Sequence, residues 1–201
     1  MHTIRKSLAI SAAFMILASA SGCSDKKADS KDMIPGISIG MTKDEVFKEV
    51  GKDYTQSFDN RDIGYKNTVE YDYFIDSVEA LDVDMPAQMF FEFEDDDKLV
   101  CYGYHIGGKG EPDNLTYPYS ESELVSTYDD MYSRLCSWYG GDGVSSTDKE
   151  EDNVIKENTW ETEEGQIWFI VGVDLWSVFE SDVYENGINE IVLSCSALDG
   201  Q

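Results

Sequence analysis

The sequence predicts an α+β fold in which two helix-plus-three-strand units form one antiparallel sheet, with the helices packed on one face. Three observations lead there. Met41-Thr42-Lys43-Asp44-Glu45-Val46 and Tyr119-Ser120-Glu121-Ser122-Glu123-Leu124 repeat one helix-start pattern: apolar residue, capping hydroxyl, two residues, glutamate, apolar residue. Each copy is followed by three strand-like runs. A three-stranded sheet with one helix buries only one face well, so two such units joined into a continuous sheet solve the burial problem of both.

Each element has a local justification. In the first helix Thr42 caps the first turn, Glu45 completes a capping box, and Met41 is placed to pack on Val46. Phe47 and Val50 extend the apolar stripe and Gly51 offers a stop. Strands are expected at 68–75, 87–93 and 99–106, with the acidic stretch 94–98 as the hairpin turn between the last two. The second helix carries Leu124, Tyr128, Met131, Leu135 and Tyr139 at gaps of three or four residues, and Gly140-Gly141 ends it. A polar, glycine-containing loop follows over 140–151. Further strands are expected at 154–162, at 166–179 with a kink or bulge at Gly172, and at 188–197 after the turn-forming Glu185-Asn186-Gly187. The copies are read as a diverged internal duplication, with units at 33–111 and 119–201 and a linker at 112–118.

The chain opens with the parts of an export signal. Arg5 and Lys6 precede an apolar run from Leu8 to Ala18, which gives way to small residues just before Cys23. The run is too short for a membrane span, which needs about 20 apolar residues. Ala20-Ser21-Gly22-Cys23 resembles the lipobox of bacterial lipoproteins, although leucine is usual where Ala20 stands. The resemblance implies a signal peptide at 1–22, acylated Cys23 as lipid attachment site, and a lipid anchor on the extracytoplasmic face of the cell membrane. Residues 23–32, rich in Ser, Asp and Lys, are expected to form a flexible tether.

Charge narrows the partners. The 201-residue chain carries 15 basic and 41 acidic side chains, a net charge of −26. Removing residues 1–22 takes away Arg5 and Lys6, leaving 13 basic against 41 acidic side chains and a net −28. Such a surface repels nucleic acid and anionic lipid headgroups. A basic protein surface or divalent cations suit it better, and high negative charge also serves solubility.

Two resemblances concern the folded part. The stretch Ile34-Pro35-Gly36-Ile37-Ser38-Ile39-Gly40-Met41-Thr42-Lys43-Asp44-Glu45-Val46 resembles the opening of small lipoprotein domains of the SmpA/OmlA type, with their Gly-Met-Thr/Ser step into a first helix. Phe91-Glu92-Phe93-Glu94-Asp95-Asp96-Asp97-Lys98-Leu99-Val100 resembles their second hairpin. The tandem order resembles the beta-lactamase-inhibitor-protein fold, which implies helices on one side of a sheet whose other face grips a protein. Those outer-membrane assembly domains are usually single units, and the second unit here begins with Tyr119-Ser120 rather than glycine-methionine, so the likeness supports fold more than function.

Chemistry-bearing residues are sparse. His105 is the one histidine after the leader, and neither it nor its neighbour Cys101 belongs to a recognisable catalytic or metal pattern. Asp95, Asp96 and Asp97 are weak candidates for a cation, because the run lacks the alternating ligands and closing glutamate of an EF-hand, and a solvated turn is the better reading. No cofactor is indicated. Three cysteines beyond Cys23 leave at least one unpaired within the fold. Aromatic residues on strands say more. Tyr104, Trp160 and Trp176 are the candidate binding residues, whereas Trp168 is assigned to the core, within a run from Ile167 to Val171 that is apolar on both faces. The expected function is a membrane-anchored binding or scaffold module that contacts an envelope or extracellular protein through its sheet face. The alternatives are a solute or glycan binder, with a cleft lined by Trp160, Trp168 or Trp176, and an envelope hydrolase using acidic residues.

Overall fold

The computed structural model describes residues 32–51, 55–59, 67–95, 97–108, 116–145, 154–175 and 188–198. Helix α1 (Lys43–Val50) leads into strands β1 (Thr55–Asp59), β2 (Thr68–Ile75), β3 (Ala87–Glu94) and β4 (Leu99–Ile106). Helix α2 (Glu121–Tyr139) leads into β5 (Val144–Ser145), β6 (Val154–Glu161), β7 (Gln166–Leu175) and β8 (Ile188–Ser196). The strands lie in one antiparallel sheet in the order β1-β2-β3-β4-β8-β7-β6-β5. Each helix therefore precedes a meander that runs from an outer edge to the centre, and the two meanders join where β4 pairs with β8.

The α+β architecture is the expected one, but each helix precedes four strands rather than three. The additions are the two edge strands. Five largely polar residues in β1 and two in β5 are too few for an alternating pattern to show, and pairing to a neighbour is what makes them strands. Strand β7 breaks register between Gly172 and Leu175, at the position where the sequence indicates a bulge. The expected strand continuation over 176–179, the turn at 185–187 and most of the 112–118 linker fall outside the described residues.

Both helices begin with complete capping boxes. The Thr42 amide donates to Glu45 Oε2 at 2.8 Å, and the Ser120 amide donates to Glu123 Oε2 at 2.9 Å. The backbone and side-chain bonds from Thr42 hold the Glu45 carboxyl below its usual range, and the side-chain and backbone bonds from Ser120 do the same for Glu123. Each helix closes on a glycine with positive φ, Gly51 at 66° and Gly140 at 79°. Replacing Ser120 with alanine is expected to lower stability by about 1 kcal/mol. A urea midpoint identical to that of the unaltered protein would show that the cap is redundant.

The main core lies between the helices and one sheet face. That face is lined by Phe91 of β3, Tyr102 and Tyr104 of β4, Leu193 of β8 and Phe169 of β7, all buried. Helix α2 covers the second half with Leu124, Tyr128, Met131 and Leu135. Helix α1 is only eight residues long. Its Phe47 packs edge-on against Tyr71 at 5.4 Å and Phe93 at 6.2 Å, both at the outer end of the first half. The preceding segment fills the centre. Met33, Ile34 and Ile37 are buried, and the hydroxyls of Tyr104 and Tyr102 donate to the carbonyls of Met33 and Ile37, both at 3.4 Å. Gly40 and Met41 then pair with Leu99 through two 2.8 Å backbone bonds, so the approach to α1 runs antiparallel to the start of β4. No helix among the described residues is long and apolar enough to cross a membrane.

Candidate functional site

The sheet face away from the helices collects the remaining chemistry. Strand alternation places Glu70 and Asp72 of β2 there, with Gln88, Phe90 and Glu92 of β3, His105 of β4, and Glu190 and Val192 of β8. Across the second half the same face carries Trp168 and Ile170 of β7 and Glu157 and Thr159 of β6. Its centre is itself buried, at Phe90, Ile170 and Val192. Glu92 and Glu190 on this face are buried as well, whereas Trp168 is exposed.

One end is a carboxyl cluster around an imidazole. Glu70 stands directly opposite Glu92 across the β2–β3 pair. Gln88 donates its side-chain amide to Asp72. His105 Nδ1 lies 3.2 Å from Glu190 Oε2, and its ring packs against Phe90 with centroids 4.9 Å apart. Glu92 and Glu190 are only 9 % and 8 % exposed. Desolvation pushes the Glu70 carboxyl up to about 8, the Asp72 and Glu92 charges and a hydrogen bond with Asp72 push the same way, and His105 opposes them. For His105, desolvation works against the charged ring, but the charge and hydrogen bond of Glu190, with the charges of Glu70 and Asp72, outweigh it and raise the ring to about 9. Both shifts favour the protonated forms of Glu70 and His105 relative to the free groups. A protonated His105 is a hydrogen-bond donor and not a general base.

The other end presents Trp168, which is 37 % exposed and donates its indole N–H to Glu157 Oε1 at 2.6 Å. Thr159 lies directly opposite it. An exposed aromatic ring flanked by a carboxylate can offer both apolar area and a cation-accepting ring face.

The aromatic assignments from the sequence are corrected by strand parity. Tyr104, expected at the surface, is 4 % exposed and faces the helices together with Tyr102 and Ile106. Trp160 is 5 % exposed, wedged between Tyr132 and Tyr139 with its indole N–H donating to the Gly141 carbonyl at 3.1 Å. Trp168, expected in the core, is the ring that reaches solvent. Where every residue from 167 to 171 is apolar, composition does not say which parity faces the helices. Trp160 and Trp168 lie on opposite faces, so no cleft is lined by both. Trp176 lies outside the described residues.

The acidic turn is engaged within the fold. Asp95 accepts a hydrogen bond from Asn67, Asp97 pairs with Lys43 at 3.0 Å, and Asp96 is outside the described residues. Among the described residues no group of three or more His, Cys, Asp or Glu is arranged to hold a metal ion. Cys101, Cys136 and Cys195 are free thiols, and burial pushes the Cys195 thiol up to about 12. The carboxyl cluster escapes a sequence reading because its members come from four strands. The local signal was Glu70-x-Asp72, two acids on one strand face, and it gains meaning only beside Glu92 and His105. No family model matches the chain, and no curated protein or solved structure shows significant similarity to it.

Proposed function

We propose that the chain is an exported lipoprotein, anchored through lipid on Cys23 to the extracytoplasmic face of the cell membrane, whose folded domain binds an envelope or extracellular protein. The contact is assigned to the β6–β7 end of the sheet face opposite the helices. The observation that carries this reading is Trp168, a large ring held partly in solvent by its bond to Glu157 on a face that the helices leave uncovered. The lipobox-like Ala20-Ser21-Gly22-Cys23 supports the anchor. The resemblance to SmpA/OmlA-type domains and to the inhibitor-protein fold is in keeping with a role in protein contact.

Affinity capture from detergent-solubilised envelope and culture supernatant tests the binding. The protein is expected to retain one enriched polypeptide, and Trp168→Ala to lose it while its melting temperature stays within about 2 °C. Retention of nothing beyond what a denatured control retains sinks the proposal. Cys23→Ser is expected to move the chain from the membrane fraction to the soluble one. A wild-type chain that takes up no labelled fatty acid refutes the anchor.

A second reading, an envelope hydrolase, is favoured by one feature: Glu70, whose carboxyl is pushed up by burial, stands beside Asp72 and directly opposite Glu92. Turnover of a glycoside or ester panel that disappears in Glu70→Gln would put this reading ahead of binding.

A further inference from the structure

We propose that the Trp168 end of the face opposite the helices recognises a basic segment of the partner protein, seating an arginine or lysine side chain on the row Val144–Thr159–Trp168 between the carboxylates of Glu157 and Glu161. This rests on the reading of that face as a protein-contact surface and adds the chemistry it selects. The row is set by register. Val144 of β5 stands opposite Thr159 of β6, and Thr159 stands opposite Trp168 of β7, so the three side chains share one face across three strands. Val144 and Trp168, at 71 % and 37 %, are the exposed large hydrophobic residues among those described. Standing in one row, they form an apolar strip rather than two scattered side chains.

Negative charge flanks the strip. Glu157 and Glu161 lie two residues to either side of Thr159 on the same strand face, each about 7 Å along the strand from it. Glu157 accepts the Trp168 indole N–H at 2.6 Å, a bond at the ring edge that does not use the ring faces. Glu161 is exposed. Strands β5, β7 and β8 contain no lysine or arginine. The one lysine of β6, Lys156, is turned to the helix side, where its Nζ donates to Asp129 Oδ1 of α2 at 2.6 Å. Over 140–201 the sequence holds 15 acidic residues against two lysines, Lys149 and Lys156, and no arginine.

An apolar strip between two carboxylates matches one kind of side chain. Arginine and lysine join an apolar stem to a cationic head. The stem lies along Val144 and the Thr159 methyl, and the head sits over the indole face as a cation–π contact. From there it can donate a charge-assisted hydrogen bond to a flanking carboxylate. An apolar side chain would cover the strip but strip water from the carboxylates without returning a counter-charge. An acidic side chain would be repelled. A sugar could stack on the ring, but a neutral ligand gains nothing from the charge of this surface.

Nitrogen-15 correlation spectra of the full chain in mild detergent test this. The chain has four tryptophans, and Trp168→Phe assigns the Trp168 indole N–H by difference. A pentapeptide of glycine with arginine at its second and fourth positions is expected to shift that resonance saturably. Its affinity should be about tenfold higher than that of the same peptide with citrulline, which keeps the stem and planar head but not the charge. Glu157→Gln combined with Glu161→Gln should weaken the arginine peptide about tenfold, while glutamine still accepts the indole N–H. Glu121→Gln combined with Asp130→Asn removes two charges from α2, across the sheet, and should change affinity by less than about twofold.

A Trp168 resonance that the arginine peptide does not move, or that both peptides move with equal affinity, overturns the proposal without any binding variant. Equal losses in the two double variants also overturn it, because net charge alone would then be the attraction. A resonance moved by a neutral chito-oligosaccharide and by neither peptide would overturn it in favour of a glycan. Capture of a polypeptide that Trp168→Ala loses and the variant at residues 157 and 161 keeps would overturn the cationic preference alone and leave the protein contact standing.

Discussion

Replacing Gly103 with alanine is expected to disrupt the sheet at its centre, costing about 3 kcal/mol or more. Strands β4 and β8 are the one seam between the two meanders, paired from Cys101 opposite Ser196 to Ile106 opposite Ile191. Gly103 sits within that seam opposite Ser194. A methyl group at residue 103 would stand 2.1 Å from the Leu193 carbonyl oxygen and 2.8 Å from the Ser194 Cα. Both obstacles are backbone atoms, so no rotamer change relieves the clash and the strands must move apart. A domain of this size has only about 5–15 kcal/mol of total stability, so much of it is at stake. Ser194→Ala is the control at the facing position, because it adds no atom. Urea denaturation of both variants decides the matter. A Gly103→Ala midpoint as close to wild type as that of the serine variant would mean that β4 and β8 do not approach so closely.

Truncating Tyr128 to alanine should be the most damaging change within the helix layer, at about 3–5 kcal/mol. Its ring stacks on Phe169 of β7 with centroids 4.0 Å apart and planes 3° from parallel. Its hydroxyl donates to Asn158 Oδ1 at 2.7 Å, and Asn158 is itself buried on β6. The same asparagine donates to the Asp142 carbonyl at 3.3 Å, holding the chain just beyond α2. One residue therefore joins the helix, two strands and the following loop. Tyr128→Phe keeps the ring and removes the donor, and should cost about 1–3 kcal/mol by depriving a buried amide oxygen of that bond. Comparing the two variants by thermal melting separates packing from hydrogen bonding. If phenylalanine is as costly as alanine, the stacked ring contributes little and the packing account is wrong.

How legible the fold was from sequence depends on the distance over which each feature is determined. The two capping boxes were readable residue by residue, because Thr42 with Glu45 and Ser120 with Glu123 interact within one helical turn. The turn between β3 and β4 was equally local, and it closes with the Asp97 amide donating to the Glu94 carbonyl at 2.9 Å. Strand β1 was not readable, since its five residues carry no alternating apolar signal and its identity depends on β2. The candidate site was the least legible part. Trp168 and Tyr104 were assigned to the wrong sides because a shift of one residue in parity exchanges the two faces of a strand. The carboxyl cluster gave only the faint cue of Glu70-x-Asp72.

The sequence by itself determined where both helices begin, which segments are the long strands, that the two halves follow the same plan, and the strong negative charge that any partner must meet. These follow from capping, periodicity and composition, which act over a few residues or over the whole chain at once. Only the tertiary structure decided that β4 pairs with β8, which side of the sheet each aromatic ring occupies, and that His105 meets Glu190 from 85 positions away. Antiparallel register is chosen by the combined burial of two faces and several strands, so no single segment contains it. The face on which a residue lies, and hence the charges it meets, follows from that choice.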